Sequence, residues 1–430
     1  MRPVEALRID GVDHLSAEQV ARRLGVKVQT VYAYASRGVL RRRRLPGRRE
    51  SYFPLAEVEA LTSGGGTRRR PPGLSEDVRT ALTLVEHDRL SYRGHDVVRL
   101  ARESTFAEVV ALLWGLEPRF ETDAETVAAV RRALAPLPGT ATLADRVRVL
   151  LSVLAADSPD RHDLDPAVVT AAVGRVMATS VACLLSGRPP WPVPGGTPHT
   201  PPRDRTHAAT RVPPHEGVCR PSLDPPDGGL PAALAAALGV TDTRWVEQAC
   251  ILLADHDMAG STTAARVAAS VRTDPFGALT AALAAFDSPL HGTAGRRVHA
   301  LLGELLDDPA GTLAHCLHAE TVPGFGHVVY ETLDPRAELL VEHLARTVDH
   351  PLLAATERLS DRLWQRRGLP RTVDLALALG AHLLGGDADL PETVFLHARM
   401  AGWTAHVLEE YAEPALRFRL RGVYTGARPT

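Results

Sequence analysis

Cysteine is scarce in this chain: Cys183, Cys219, Cys250 and Cys316 lie far apart, with no CxxC pair among them. Such spacing argues against a disulfide framework or a zinc ribbon and suits a reducing cytoplasm. Aromatic residues are only 5% against 45% hydrophobic residues overall, with long Ala, Leu, Val, Arg and Glu tracts. That composition favours packed helices over sheet, so an all-α fold is expected. A charged start followed by an apolar signal core is missing, and no apolar run approaches the length of a bilayer span, so neither secretion nor membrane insertion is expected. Nucleotide-binding glycine loops are absent too: Gly64-Gly65-Gly66 has no strand-to-helix setting, and no serine sits in a G-x-S-x-G elbow. No repeat period marks a solenoid. The nearest approach to a metal cluster is His315-Cys316-x-His318. A helix would splay those side chains, and no second cluster completes a tetrahedral site, so no metal is expected.

What is present divides the chain. At 430 residues and 46.2 kDa it exceeds one typical domain, and two or three folding units are expected. The net charge of −2 hides an asymmetry, because residues 1–70 hold fifteen basic and seven acidic side chains. Ser16-Ala17-Glu18-Gln19 opens a capping box, with Val20, Ala21 and Leu24 at helical spacing before Gly25-Val26. A second helix is expected over Val28 to Leu40. Its polar side offers Gln29, Thr30, Tyr32, Tyr34, Ser36 and Arg37, and two short helices joined this tightly suggest a helix-turn-helix. The run Arg41, Arg42, Arg43, Arg44, then Leu45-Pro46-Gly47 and Arg48-Arg49, resembles the basic wing of MerR-like and excisionase-like winged domains, with Tyr52 to Leu61 as packing strand and helix. That resemblance implies DNA as a partner, through phosphate contacts from the arginines and a helix in the major groove. A vestigial module that only packs on the body is the plainer reading. The first unit is placed at residues 1–62. Residues 63–74 read as a linker by their Gly, Arg and Pro content, and a body follows over 75–430, helical from Ser75 onward. Within it, 187–231 is rich in Pro, Gly and Arg and reads as a long surface loop, with helices resuming at Leu230–Leu238 and Trp245–Leu253.

The body carries four informative segments. Gly324 to Ala337 sets the glycine-framed His327 a short distance before Asp334-Pro335-Arg336; a neutral proton donor beside an obligate cation suits an anionic carbonyl substrate. Upstream lie Ile251 to Thr262, with His256, and Ser288 to Gly295, with His291. Downstream lies Arg371 to Gly380, with Asp374. Tyr92-Arg93-Gly94 adds a turn near the start, and Tyr424-Thr425-Gly426 a terminal one. In this order the segments resemble the citrate synthase family. The resemblance implies a large and a small helical domain, the small one over roughly 293–385, closing over the substrates of a homodimer. It implies oxaloacetate and an acyl-CoA, acetyl-CoA in the first instance, as substrates, and no permanently bound cofactor. It makes Asp374 the base that takes a proton from the thioester methyl group, His291 the donor to the thioester carbonyl, and His327 the donor to the ketone. His256, Arg336, Arg399 and Arg419 would bind the dicarboxylate, Arg419 by reaching into the partner's site.

The sequence departs from the family at Leu253, Ala259 and Thr293. It departs again at Val328 and Glu331, where the family often carries basic residues that face coenzyme A phosphates. A solvated carboxylate at 331 would repel such a phosphate by roughly 1 kcal/mol, and Arg366, Arg367 or Arg371 are the candidates to replace the contact. No proton-transfer group is lost. The expectation is a condensing acyltransferase. The rivals are a 2-methylcitrate synthase using propionyl-CoA, since one methylene is worth only ~1–3 kcal/mol of discrimination, and a DNA-binding regulator whose body has become a sensor.

Overall fold

A computed structural model describes residues 7–9, 12–24, 26–36, 39–44, 51–55, 57–58, 78–185 and 229–418. The chain falls into two compact units, Met1–Leu74 and Ser75–Thr430.

In the first unit, strands Leu7–Ile9, Val12–Ser16, Arg43–Arg44 and Ser51–Pro54 form an antiparallel sheet with the last two exchanged in order. Helices Ala17–Leu24 and Val28–Ser36 pack on it around Leu15, Val20, Val31, Leu40 and Phe53. The capping box forms as the sequence reads: Gln19 N donates to Ser16 Oγ (3.3 Å) and Ser16 N to Gln19 Oε1 (2.7 Å). The second helix is shorter than expected. It ends at Ser36, and the chain turns so that Val39 N and Leu40 N both reach Tyr34 O, which sends Leu40 into the core. The wing strand Arg43–Arg44 pairs with Tyr52 and Ser51. The wing tip at 45–50, Arg37 and the 63–74 linker lie outside the described residues.

The second unit is helical, with one correction at its start: residues 83–96 form a three-stranded antiparallel meander rather than helix. Its second turn is Arg93-Gly94, both at positive φ, and Asp96 then caps Val97–Glu103. Elsewhere sequence chemistry sets the helix starts. Four helices, Pro166–Leu185, Pro275–Phe286, Pro309–His318 and Pro335–Thr347, each begin on an Asp-Pro pair, the aspartate accepting a backbone N–H of the first turn and the proline supplying a preset φ. Helix Leu390–Ala412 is buried along most of its length, from Leu390 to Val407. Pro166–Leu184 amends the reading of apolar runs: its 19 residues, at mean hydropathy 1.7, are long and apolar enough to cross a membrane, but 61% of the segment is buried inside this unit as a core helix. Of the 187–231 loop, residues 187–228 lie outside the described residues, and helix resumes at Gly229.

Candidate active site

Close backbone approaches assemble the site. Gly326 N donates to Pro370 O (2.8 Å) and Thr372 N to Gly324 O (2.9 Å), while Phe325 bridges Arg371. His327 therefore emerges beside the first turn of helix Val373–Leu383, which carries Asp374. Gly324 takes φ +81°, and a Cβ there would press on Val298 and Leu375 at 3.0 and 3.2 Å, so the loop needs glycine. Gly402 N donates to Ala254 O (2.9 Å), and an added Cβ would meet that oxygen at 2.3 Å; this contact seats Arg399, one turn earlier on the long helix, against the end of helix Thr243–Leu253.

Three histidines converge, each held away from its charged form. His327 Nδ1 accepts from Val329 N (3.0 Å), which leaves the proton of the neutral ring on Nε2 as an available donor. His256 stands edge-on to it, ring centroids 5.4 Å apart, and its Nε2 hydrogen-bonds the Tyr330 hydroxyl (2.9 Å). His291 Nε2 meets Ser261 Oγ at 2.8 Å. Trp403 Nε1 donates to that same oxygen (3.1 Å), and with the serine proton turned to His291 the imidazole proton is on Nδ1. Burial lowers all three: His291 to about 4, His256 well below the usual value with Arg336 and Arg399 adding to the effect, and His327 with help from Arg336.

Two arginines face this group. Arg336 is locked bidentately by Asp334 (Nε 2.9 Å, Nη2 2.8 Å) and lies over the Tyr330 ring at 5.2 Å. Asp334 also accepts Val373 N (3.0 Å), so one carboxylate ties the cation to the helix bearing Asp374. Arg399 donates through Nε to Leu253 O (2.9 Å) and lies over Phe395 at 4.8 Å. Its Nη2 is buried without a hydrogen-bond partner among the described residues, and burial draws its pKa down to about 10. Asp255, joined to Thr83 Oγ1 (2.5 Å) and His406 Nε2 (3.1 Å), supplies the nearby negative charge. Burial pushes Asp374 up to about 6; Arg336 and Arg297 oppose the rise and Asp334 adds to it.

The structure thus brings together His256, His291, His327, Arg336, Arg399 and Asp374. Two of the three arginines weighed for coenzyme A are committed elsewhere. Arg371 pairs with Glu338 and Glu357 (both 2.6 Å), and Arg367 caps the carbonyls of Cys316, Ala319 and Glu320. Arg366 lies exposed in the last turn of helix Pro351–Arg367. Arg419 and the 424–426 turn lie outside the described residues. Sequence reading passed over Tyr330, Ser261 and Arg297. Tyr330 lies three residues beyond His327 in a segment already singled out; Ser261 is legible only through its partners.

In the N-terminal unit, Gln29 is exposed and Thr30 half-buried on the second helix. Arg41, Arg42 and Arg43 are exposed; Arg41 N donates to Glu57 (2.7 Å) and Arg42 lies over Tyr32 at 5.6 Å, while Arg44 lies in the wing strand. Arg48 and Arg49 lie outside the described residues.

A mostly helical body that brings histidines, arginines and a basic carboxyl group together has the parts of a carbonyl-condensing type of site. Residues 76–421 match the family described as citrate synthase, C-terminal domain, and residues 15–65 match a helix-turn-helix domain. The chain is 38% identical to citrate synthase 2 of Bacillus subtilis over 186 residues, 42% of this chain and 50% of that protein. It is 30% identical to a 2-methylcitrate synthase of Mycobacterium tuberculosis over 364 residues, 78% of this chain and 85% of the relative. The fold is similar to that of citrate synthase from Thermotoga maritima, with a TM-score of 0.62 at 24% identity over 85% of this chain and 97% of that one. The chain belongs to the citrate synthase family and is an acyltransferase, preceded by a helix-turn-helix domain.

Proposed function

We propose that the enzyme condenses an acyl-CoA, acetyl-CoA or propionyl-CoA, with oxaloacetate and hydrolyses the resulting thioester, releasing citrate or 2-methylcitrate and free coenzyme A. The observation that carries this reading is the buried, unpartnered Nη2 of Arg399 beside Arg336 and three neutral histidines, because a buried cationic donor without a partner costs free energy unless an anion completes it. The names of the relatives agree, and a structure of similar fold, citrate synthase from Thermoplasma acidophilum (TM-score 0.62, 22% identity, over 83% of this chain and 96% of that one), was determined with carboxymethyl coenzyme A and oxaloacetate.

In this reading Arg336, Arg399 and His256 hold the dicarboxylate. The Asp374 carboxylate removes a proton from the thioester α-carbon while His291 Nδ1–H donates to the carbonyl oxygen, giving the enol. The enol carbon then attacks the ketone carbon, the thioester carbonyl re-forming as the enol proton returns to His291, while His327 Nε2–H delivers its proton to the ketone oxygen. Water then cleaves the thioester to carboxylate and thiol, and the proton taken by Asp374 is passed through solvent to restore His327. A carboxyl group raised to about 6 is a stronger base than an ordinary aspartate and is still mostly ionised near neutrality. A homodimer whose Arg419 completes the partner's site belongs to the same reading, as does a cytoplasmic setting. The test is thiol release with oxaloacetate and either acyl-CoA, using Asp374→Asn as control. Undiminished activity in that variant would sink the assignment of the base; absence of turnover in a folded protein that binds oxaloacetate would favour a sensor.

The helix-turn-helix match and the exposed Arg41 to Arg43 favour a second role, DNA binding by the N-terminal domain. Binding to duplex DNA should weaken steeply between low and moderate salt; salt-independent affinity would exclude phosphate contacts.

A further inference from the structure

Among the described residues, the segment directly after His327 offers no cation before Arg336. Val328 and Glu331 are exposed, and the Asp88 carboxylate accepts Glu331 N (2.7 Å) and Thr332 N (2.9 Å), so this side presents acid where an anionic carrier would arrive. Arg371 is spent on two glutamates and Arg367 on three carbonyls.

Arg297 stands differently. It lies in the first turn of helix Ala294–Asp307, directly after the His291 turn, and is exposed. Its Nη2 donates to Pro289 O, and its Nε and Nη1 make no hydrogen bond among the described residues. It also lines a cavity of about 230 Å³ walled by Thr321, Val322 and Pro323, the residues that run into Gly324 and His327. Two further wall residues, Cys316 and Ala319, are those whose carbonyls hold Arg367, so a second positive charge backs the cavity, while Glu304 is the single acid lining it among the described residues. Arg297 is close enough to the reacting centre for its charge to be felt at Asp374.

We propose that Arg297 receives the phosphate groups of the acyl carrier, in the cavity beside the Gly324–His327 loop, in place of the cations missing at Val328 and Glu331. The assignment rests on the condensing reading. It names a contact on the helix after His291 rather than on helix Pro351–Arg367, and it places the carrier's charged end against a wall continuous with the loop that presents His327.

The experiment compares the wild type with Arg297→Gln and Arg297→Lys in thiol release, using acetyl-CoA and the acetyl thioester of N-acetylcysteamine, which has no phosphate. Direct titration of coenzyme A into each protein gives affinity independently of turnover. Arg297→Gln should raise the acetyl-CoA KM and the coenzyme A Kd about tenfold, with kcat within about threefold, as loss of a charge-assisted contact predicts. It should move the KM of the truncated thioester less than about twofold, and Arg297→Lys should recover part of the affinity. Unchanged coenzyme A affinity in Arg297→Gln overturns the proposal. So does an equal loss with both thioesters, which would make Arg297 a positioning residue for the Pro289–His291 turn. A wild type without turnover that still loses coenzyme A affinity on substitution would defeat the condensing reading while leaving this contact standing.

Discussion

Arg336 and Arg399 are 3% and 1% exposed, whereas Leu290 and Val328, each next to a site histidine, are 90% and 101% exposed. One half of the site is sunk in the core and cross-braced by Asp334, Asp255 and Tyr330; the other is an open rim of apolar and acidic side chains. The contrast matches two different binding problems. A small dianion is recognised by exchanging its water for fixed cations, which works only where the cations are held and the dielectric is low. A large thioester carrier needs only its reacting end placed precisely against the base, and the rest of it can lie on the surface. Substitutions on the two halves should therefore separate cleanly in steady-state kinetics.

The largest effect is expected where the halves meet. Asp374→Asn should lower kcat about a thousandfold, within the span of general-base contributions. In the wild type, kcat/KM should fall tenfold per unit below a pH of about 6 as Asp374 takes up its proton. Stability should run the other way. The folded pKa lies above that of an ordinary aspartate, so the folded chain holds this proton more tightly than the unfolded one, and the group's favourable contribution is lost as pH rises through about 6. At pH 7.5 Asp374→Asn should thus be more stable than the wild type by about 1–2 kcal/mol in urea, after discounting for partial exposure. A destabilised variant would contradict the raised pKa.

Next comes Arg399→Gln. It should raise the oxaloacetate KM about a hundredfold, or about 3 kcal/mol, while the acetyl-CoA KM stays within about threefold. Equal increases for both substrates would mean that the buried and open halves are not separate.

The buried half was the more legible in sequence, for a physical reason. Its parts are local strings whose chemistry depends on neighbours along the chain: Asp334 both caps its helix and clamps Arg336 two residues on, and the glycines around His327 mark a loop that must approach another backbone. The Ser16 capping box was readable on the same grounds. The meander at 83–96 was missed because a mostly helical composition outweighed a short strand pattern whose turns use non-glycine residues at positive φ, His87, Asp88 and Arg93. The open half was less legible for the opposite reason. An arginine's sequence position does not reveal whether its donors are already occupied, so Arg367 and Arg371 looked suitable until their carbonyl and carboxylate partners were seen. Ser261 and Trp403, which meet beside His291 from 142 residues apart in the chain, form no local pattern at all.

Asp88 offers the gentlest test of the open half. It sits at φ +57° in the first turn of the meander and accepts two amides of the Glu331–Thr332 segment, and the Thr332 side chain chiefly holds its carboxyl below the ordinary range. Asparagine tolerates this backbone region and keeps one acceptor oxygen, so Asp88→Asn should fold normally while releasing part of the segment and removing one negative charge from the rim. Two consequences oppose each other at the carrier: a looser rim weakens contact, and a less acidic one welcomes phosphate. The acetyl-CoA KM should therefore change by no more than about twofold, shifting downward at low ionic strength where the charge is least screened, and the oxaloacetate KM should not move. A shift in the oxaloacetate KM of the size expected for Arg399→Gln would mean that the rim transmits to the buried cations through the Glu331–Arg336 segment, and the two halves would then have to be treated as one.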